Sequence, residues 1–241
     1  MGEAQRTSSH MRAAQHRSEQ RRKNPMSQSI AETIRLTGDP AVCSTDLLCP
    51  VSVLFACDQN PYKLLAGVEV WDNKMDARRF AGAGPVIAHP PCRTWGNLRT
   101  VATKAPADEH DLGPWAVEQV RRCGGVLEHP AGSTLFEECK CGSLLKPDEW
   151  GGWILELDQW HWGHPAAKPT RLYIVGCSVR NIPASPNREG TPERCITQGH
   201  GVRIGHPLFK SRVTQWERES TPPQFAKWLV ELARRCKGHN H

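Results

Sequence analysis

The stretch Val86-Ile87-Ala88-His89-Pro90-Pro91-Cys92 constrains the fold more than any other part of the chain. Its apolar run reads as a buried strand. Two consecutive prolines then fix φ near about −65° and remove two backbone donors, so the chain must leave the sheet at once. Cys92 is thereby delivered to a rigid turn at the carboxyl end of a strand, where open α/β sheets place their chemistry. Taken alone, the residue reads either as a small buried hydrophobe or as a reactive thiol.

The flanking sequence supplies strands and helices in alternation. Pro50 to Ala56 and Val68 to Trp71 read as strands, the second ending at Asp72, and Asp76 to Phe80 reads as a short helix. Asp108 to Arg122 carries Leu112, Trp115, Ala116, Val120 and Cys123 near a helical period and stops at Gly124-Gly125. Val126-Leu127-Glu128-His129-Pro130 is another short strand ending in a proline turn. Strand, helix and strand make a βαβ unit, whose crossover brings Cys92 and Glu128 to one edge of a parallel sheet. Trp153 to Asp158 alternates as a strand, and Leu172 to Gly176 is a buried strand preceded by the cations Lys168 and Arg171. Thr221 reads as the cap of a last helix with Pro222 at its first position and one apolar stripe through Phe225, Trp228, Leu229 and Leu232. The expected fold class is therefore α/β: one domain over residues 41–241, a mostly parallel sheet with flanking helices, and a small irregular insertion at 178–217.

Residues 1–40 are rich in Ser, Gln, Arg and Glu and poor in large apolar side chains, which predicts a disordered basic tail. Residues 1–25 hold six Lys/Arg against two acids, most of the chain's net charge of +6. That bias favours a polyanionic partner. No long apolar run and no signal-peptide pattern is present in the sequence, so a soluble, cytoplasmic protein without a membrane partner is expected. The ten cysteines lack the spacing of a zinc site, Cys139 and Cys141 included, so reduced thiols and no metal are expected. Among nine tryptophans, Trp95, Trp150, Trp153, Trp160 and Trp162 flank the strand-end motifs, where they could either stack a base or pack the core.

Three strand-end motifs occur in order: Pro-Pro-Cys-Arg-Thr-Trp-Gly at 90–96, Leu-Glu-His-Pro at 127–130, and Trp-Gly-His-Pro-x-x-Lys-x-x-Arg-Leu-Tyr-Ile-Val-Gly at 162–176. Together they resemble the cytosine-5 DNA methyltransferases, which carry a Pro-Cys nucleophile loop, a Glu-Asn-Val strand end and a Tyr-Gly-x-Pro-Gln-x-Arg-x-Arg segment. The resemblance runs over about residues 50–236, and Thr221-Pro222-Pro223 is similar to the loop before that family's last helix. It implies a Rossmann-like methyltransferase fold and a covalent mechanism. Carbon 5 of a pyrimidine becomes nucleophilic only after a thiolate adds to carbon 6. By the resemblance, Cys92 is that nucleophile, Glu128 bonds the ring nitrogen and exocyclic amine, and Arg171 or Lys168 binds the ring carbonyl and lowers the thiol pKa. Pro91, Arg93, Trp95, His129 and Lys168 would line the base, and Phe55, Asp58, Asp72 and Pro90 would hold S-adenosylmethionine.

The chain also departs from that pattern. Phe55 to Pro61 contains no glycine where the family's first strand leads into a Gly-rich cofactor loop, and the twenty positions from Asp72 to Cys92 shorten the cofactor half. His129 replaces the family's Asn and Ala166 its Gln, and 178–217 is short for a target-recognition domain. The expectation is DNA cytosine methylation. The alternatives are thiol-dependent modification of a pyrimidine nucleotide or single-stranded DNA with another one-carbon donor, or a non-catalytic nucleic-acid binder.

Overall fold

The computed structural model describes residues 50–97, 99–101, 105–198 and 202–238. The tail expected to be disordered, 1–40, lies outside them. The described chain builds a six-stranded sheet in the order β2-β1-β3-β4-β6-β5. Its strands are β1 Val51–Leu54, β2 Val68–Trp71, β3 Val86–Ala88, β4 Gly125–Pro130, β5 Trp153–Asp158 and β6 Pro169–Val175. β1 pairs in parallel with β2 and β3, and β3 with β4, while β6 runs antiparallel to both of its neighbours, β4 and β5. The mostly parallel α/β expectation holds, with β6 as the reversed strand.

Register explains the core. Leu54, Ala88, Leu127 and Tyr173 are cross-strand neighbours and join Ala116, Val117, Val120 and Cys123 of helix α1 (Leu112–Cys123) in one buried cluster. Side chains alternate across a strand, so Val53, Ile87, Val126 and Ile174, also fully buried, point to the other face. There α4 (Pro223–Arg234) packs on β1, β3 and β4 with Phe225, Leu229 and Leu232 inward. Each large apolar side chain buried this way stabilises the fold by about 1.5–3 kcal/mol relative to exposure.

Several boundaries differ from expectation for local reasons. β1 stops at Leu54 because Phe55 adopts φ 61°, a left-handed conformation that breaks the ladder. The last helix starts at Pro223 with Pro222 as its cap residue, so Thr221 does not cap it. The 178–217 segment is more ordered than its composition suggests: β7 Arg194–Cys195 and β8 Ser211–Arg212 pair in parallel. A capping box between Thr214 and Glu217 starts the following short helix α3, Gln215–Glu219. α2 is the short Leu135–Glu138 helix after β4. At Gly125, φ is 128° and an added Cβ would lie 2.0 Å from the Val86 carbonyl oxygen, so only glycine lets β4 lie against β3.

This topology decides where chemistry can gather. β1, β3, β4 and β5 point the same way, so their carboxyl ends and the amino end of reversed β6 share one edge. The chain steps from β1 to β2 on one side and to β3 on the other, which makes the β1/β3 crevice a topological switch point. No helix among the described residues is long and apolar enough to cross a membrane.

Candidate active site

Glu128 is the centre of the shared edge. It sits near the end of β4 on the same face as Val126, with Leu172 as its register partner on β6, and its side chain is 12% exposed. Both carboxylate oxygens are held: the amide of Gln159, just beyond β5, donates to Oε1 at 2.8 Å, and Nδ1 of His89, just beyond β3, meets Oε2 at 2.9 Å. The Gln159 amide also bonds Thr170 Oγ1 at 3.0 Å, tying the carboxylate to β6. Behind His89, the Tyr62 hydroxyl lies 2.9 Å from Nε2. Burial by itself would raise the Glu128 pKa, but the hydrogen bond from His89 and the charge of Lys168 outweigh it, bringing the carboxyl down to about 2. Glu128 is therefore an anion at every physiological pH.

Cys92 and Lys168 complete the group. The Cys92 carbonyl accepts from the amides of Trp95 (3.2 Å) and Gly96 (2.7 Å), which locks the turn after the two prolines. Lys168, immediately before β6, is held by its backbone N–H to Asp158 Oδ1 at 2.8 Å and by its ammonium to the Ser220 carbonyl at 3.0 Å. Cys92 is exposed in total area, yet the atoms crowding its sulfur disfavour the thiolate. That desolvation, followed by the Glu128 charge, raises the thiol pKa above its ordinary 9.0, and Lys168 offsets only part of the rise. The expected cation-lowered thiol is thus reversed: at rest Cys92 is protonated. Burial likewise lowers the Lys168 pKa, against the opposing pull of Glu128, Cys92, Cys57 and Glu219.

The other expected residues divide between this edge and the framework. Arg171 does not reach it. It pairs with His129 in register, one position from the Glu128–Leu172 pair, so its side chain projects from the opposite face. There its guanidinium bonds Glu156 and Glu137, each at 2.9 Å. Of the two cations expected at this edge, Lys168 is there and Arg171 is not. Arg93 is turned to Glu109 in a two-pronged pair at 3.0 and 2.8 Å, which ties the Cys92 loop to the turn before α1. Trp95 is 3% exposed, donates to the His110 carbonyl and stacks on the His110 ring at 4.0 Å, so it is core and not a base platform. Trp153, Trp160 and Trp162 are buried as well, and Trp150 lies under the Arg121 guanidinium at 3.7 Å.

His129 is fully buried on the Arg171 face, with Nδ1 2.6 Å from Ser133 Oγ and Nε2 without a partner at hydrogen-bond distance. Burial lowers its pKa to about 4, against the opposing effects of Glu128 and of the Pro90 and Pro91 backbone. Pro90 is buried and Pro91 half-buried in the turn itself.

On the donor side, Phe55 stands edge-on to Trp115 at 5.7 Å, and Asp58 is exposed, its carbonyl accepting from Lys63. Asp72 is buried and committed: Oδ2 pairs with Lys63 at 2.7 Å, while Oδ1 accepts from the Lys74 and Met75 amides. Lys63 comes first among the causes that lower its pKa.

Sequence reasoning missed His89, Tyr62, Gln159 and Ser220. His89 had a signal, since it stands in the strand end that delivers Cys92. Gln159 follows a strand parallel to β4, a fact that becomes visible only once β6 is known to be reversed. Comparison with protein-family models and with curated proteins finds no match.

Proposed function

We propose that this protein modifies a pyrimidine at carbon 5 through a covalent adduct of Cys92 at carbon 6, with cytosine in DNA as the substrate. The observation that carries the reading is the meeting of thiol, carboxylate and ammonium at one sheet edge, where the charges of Glu128 and Lys168 both act on Cys92. These are the three groups that addition to a pyrimidine calls for. A sulfur nucleophile attacks carbon 6, a carboxylate pairs with the ring's nitrogen edge, and a cation faces the carbonyl oxygen. Lys168, not Arg171, takes the last role. Addition requires the thiolate, so the thiol, protonated at rest, passes its proton to solvent water before sulfur bonds carbon 6.

DNA as the partner is supported by the chain's net charge of +6 and by the surface of the 178–217 segment. Arg203, Phe209 and Arg212 line one shallow groove there, and Trp216 on α3 is 60% exposed. Cations interleaved with exposed aromatics suit a backbone with accessible bases.

S-adenosylmethionine as the methyl donor belongs to the same reading, but the residues expected to hold it do not form its cradle. Asp72, expected to hold the donor's adenosine, is already satisfied by Lys63 and two amides. The loop after β1 offers Cys57, Asp58, Asn60 and Pro61 where close backbone approach to a ligand wants glycine. The same observation favours a second reading, the same adduct chemistry with a different one-carbon donor.

The test is incubation with a DNA duplex containing 5-fluorocytosine, which traps the adduct. A mass increase on Cys92 that Cys92→Ser abolishes supports the reading, and absence of any adduct refutes it. Calorimetric titration of S-adenosylmethionine, with mass spectrometry of the nucleosides formed, separates the donors.

A further inference from the structure

The Tyr62–His89–Glu128 chain poses a problem that it also solves. An ionised carboxylate accepts hydrogen bonds only, and nitrogen 3 of a neutral cytosine is itself an acceptor, so the two repel until a proton lies between them. Glu128 is ionised. His89 Nδ1 is 2.9 Å from its Oε2, close enough to pass a proton, and Tyr62 holds the far side of the ring at Nε2. Resting on the cytosine reading above, we propose that His89 is the positioning residue that supplies the proton to nitrogen 3, through Glu128, as Cys92 adds to carbon 6.

The step balances. The thiol proton leaves to solvent water, the resulting thiolate pair forms the sulfur–carbon 6 bond, the carbon 5–carbon 6 π pair becomes a carbon 4–carbon 5 double bond, and the former carbon 4–nitrogen 3 π pair becomes a lone pair on nitrogen 3. His89 Nδ1 gives its proton to the Glu128 carboxylate, which passes it on to that nitrogen and is left ionised as before. His89 passes from imidazolium to neutral imidazole, keeping the proton on Nε2 toward the Tyr62 oxygen. The titratable groups around it are Tyr62 from the 61–64 turn, Glu128 and His129 from β4, and Lys168 through its charge on Glu128.

The test compares wild type with His89→Gln, which keeps a donor toward Glu128 but has no transferable proton. The rate of adduct formation on 5-fluorocytosine DNA is followed against pH, with alkylation of Cys92 by iodoacetamide as a control. In wild type the adduct rate should rise less steeply with pH than the alkylation rate does. In the variant it should be about 100-fold lower at pH 7 and should keep rising with pH as the thiol ionises. Alkylation should be alike in both. Profiles of the same shape, or equal loss of adduct and alkylation, overturn the proposal and leave the cytosine reading standing. Absence of adduct in wild type refutes both. If His89→Gln does not fold, Tyr62→Phe replaces it. The difference in pH dependence between adduct formation and alkylation must then change, and an unchanged difference counts against the relay.

Discussion

Glu128→Gln tests the electrostatics of the site without any substrate. The carboxyl titrates at about 2 in the folded protein against an ordinary 4.5, and at about 1.36 kcal/mol per pH unit this gap corresponds to about 3 kcal/mol of stability. The side chain is 12% exposed, so solvent screening removes little of it. A carboxylate with a lowered folded pKa contributes fully above the unfolded pKa and loses the contribution as pH falls through the folded one. Glu128→Gln should therefore cost about 3 kcal/mol at pH 7, about 1 kcal/mol at pH 3 and almost nothing below pH 2. Because His129 titrates in the same range and feels Glu128, both proteins should carry His129→Gln. The assay is urea denaturation followed by tryptophan fluorescence at the two higher pH values. A cost that is equal at pH 7 and pH 3, or absent at both, would mean that His89 and Lys168 do not hold the carboxylate as described.

Lys168→Gln should lower 5-fluorocytosine adduct formation about 100-fold, whereas Arg171→Gln should change it less than about threefold. Arg171→Gln should also cost under about 1 kcal/mol, since its partners Glu137 and Glu156 are mostly exposed. Their adduct rates and denaturation midpoints decide the assignment. His129, buried and neutral with a pKa of about 4 against 6.5, should make wild type lose about 3 kcal/mol as pH falls from 6.5 to 4. Melting curves of His129→Gln should be flatter over that range. Gly125→Ala should destabilise by about 3 kcal/mol or more, because its Cβ would stand 2.0 Å from the Val86 carbonyl. A circular-dichroism melt within a few degrees of wild type would contradict that packing.

What the sequence determined by itself is local and periodic. Alternation and helical spacing marked the buried strands and the two long helices. The Pro90-Pro91 pair ended β3, and Gly124-Gly125 ended α1. The βαβ order placed Cys92 and Glu128 at one sheet edge, because a crossover between parallel strands leaves little freedom of hand or direction. Tertiary structure decided the rest. Reversal of β6 brought its amino end to that edge, so Lys168 entered the site and Arg171, three residues on, faced away. Helical and strand periods do not say which face of a strand is which until register is set. Trp95 and Arg93 carried the composition of a binding loop, but their partners, His110 and Glu109, lie beyond the turn that follows Cys92. His89, Tyr62 and Gln159 come from three separated segments whose only relation is a shared carboxylate, and a contact between distant segments leaves no periodic trace in the chain that forms it.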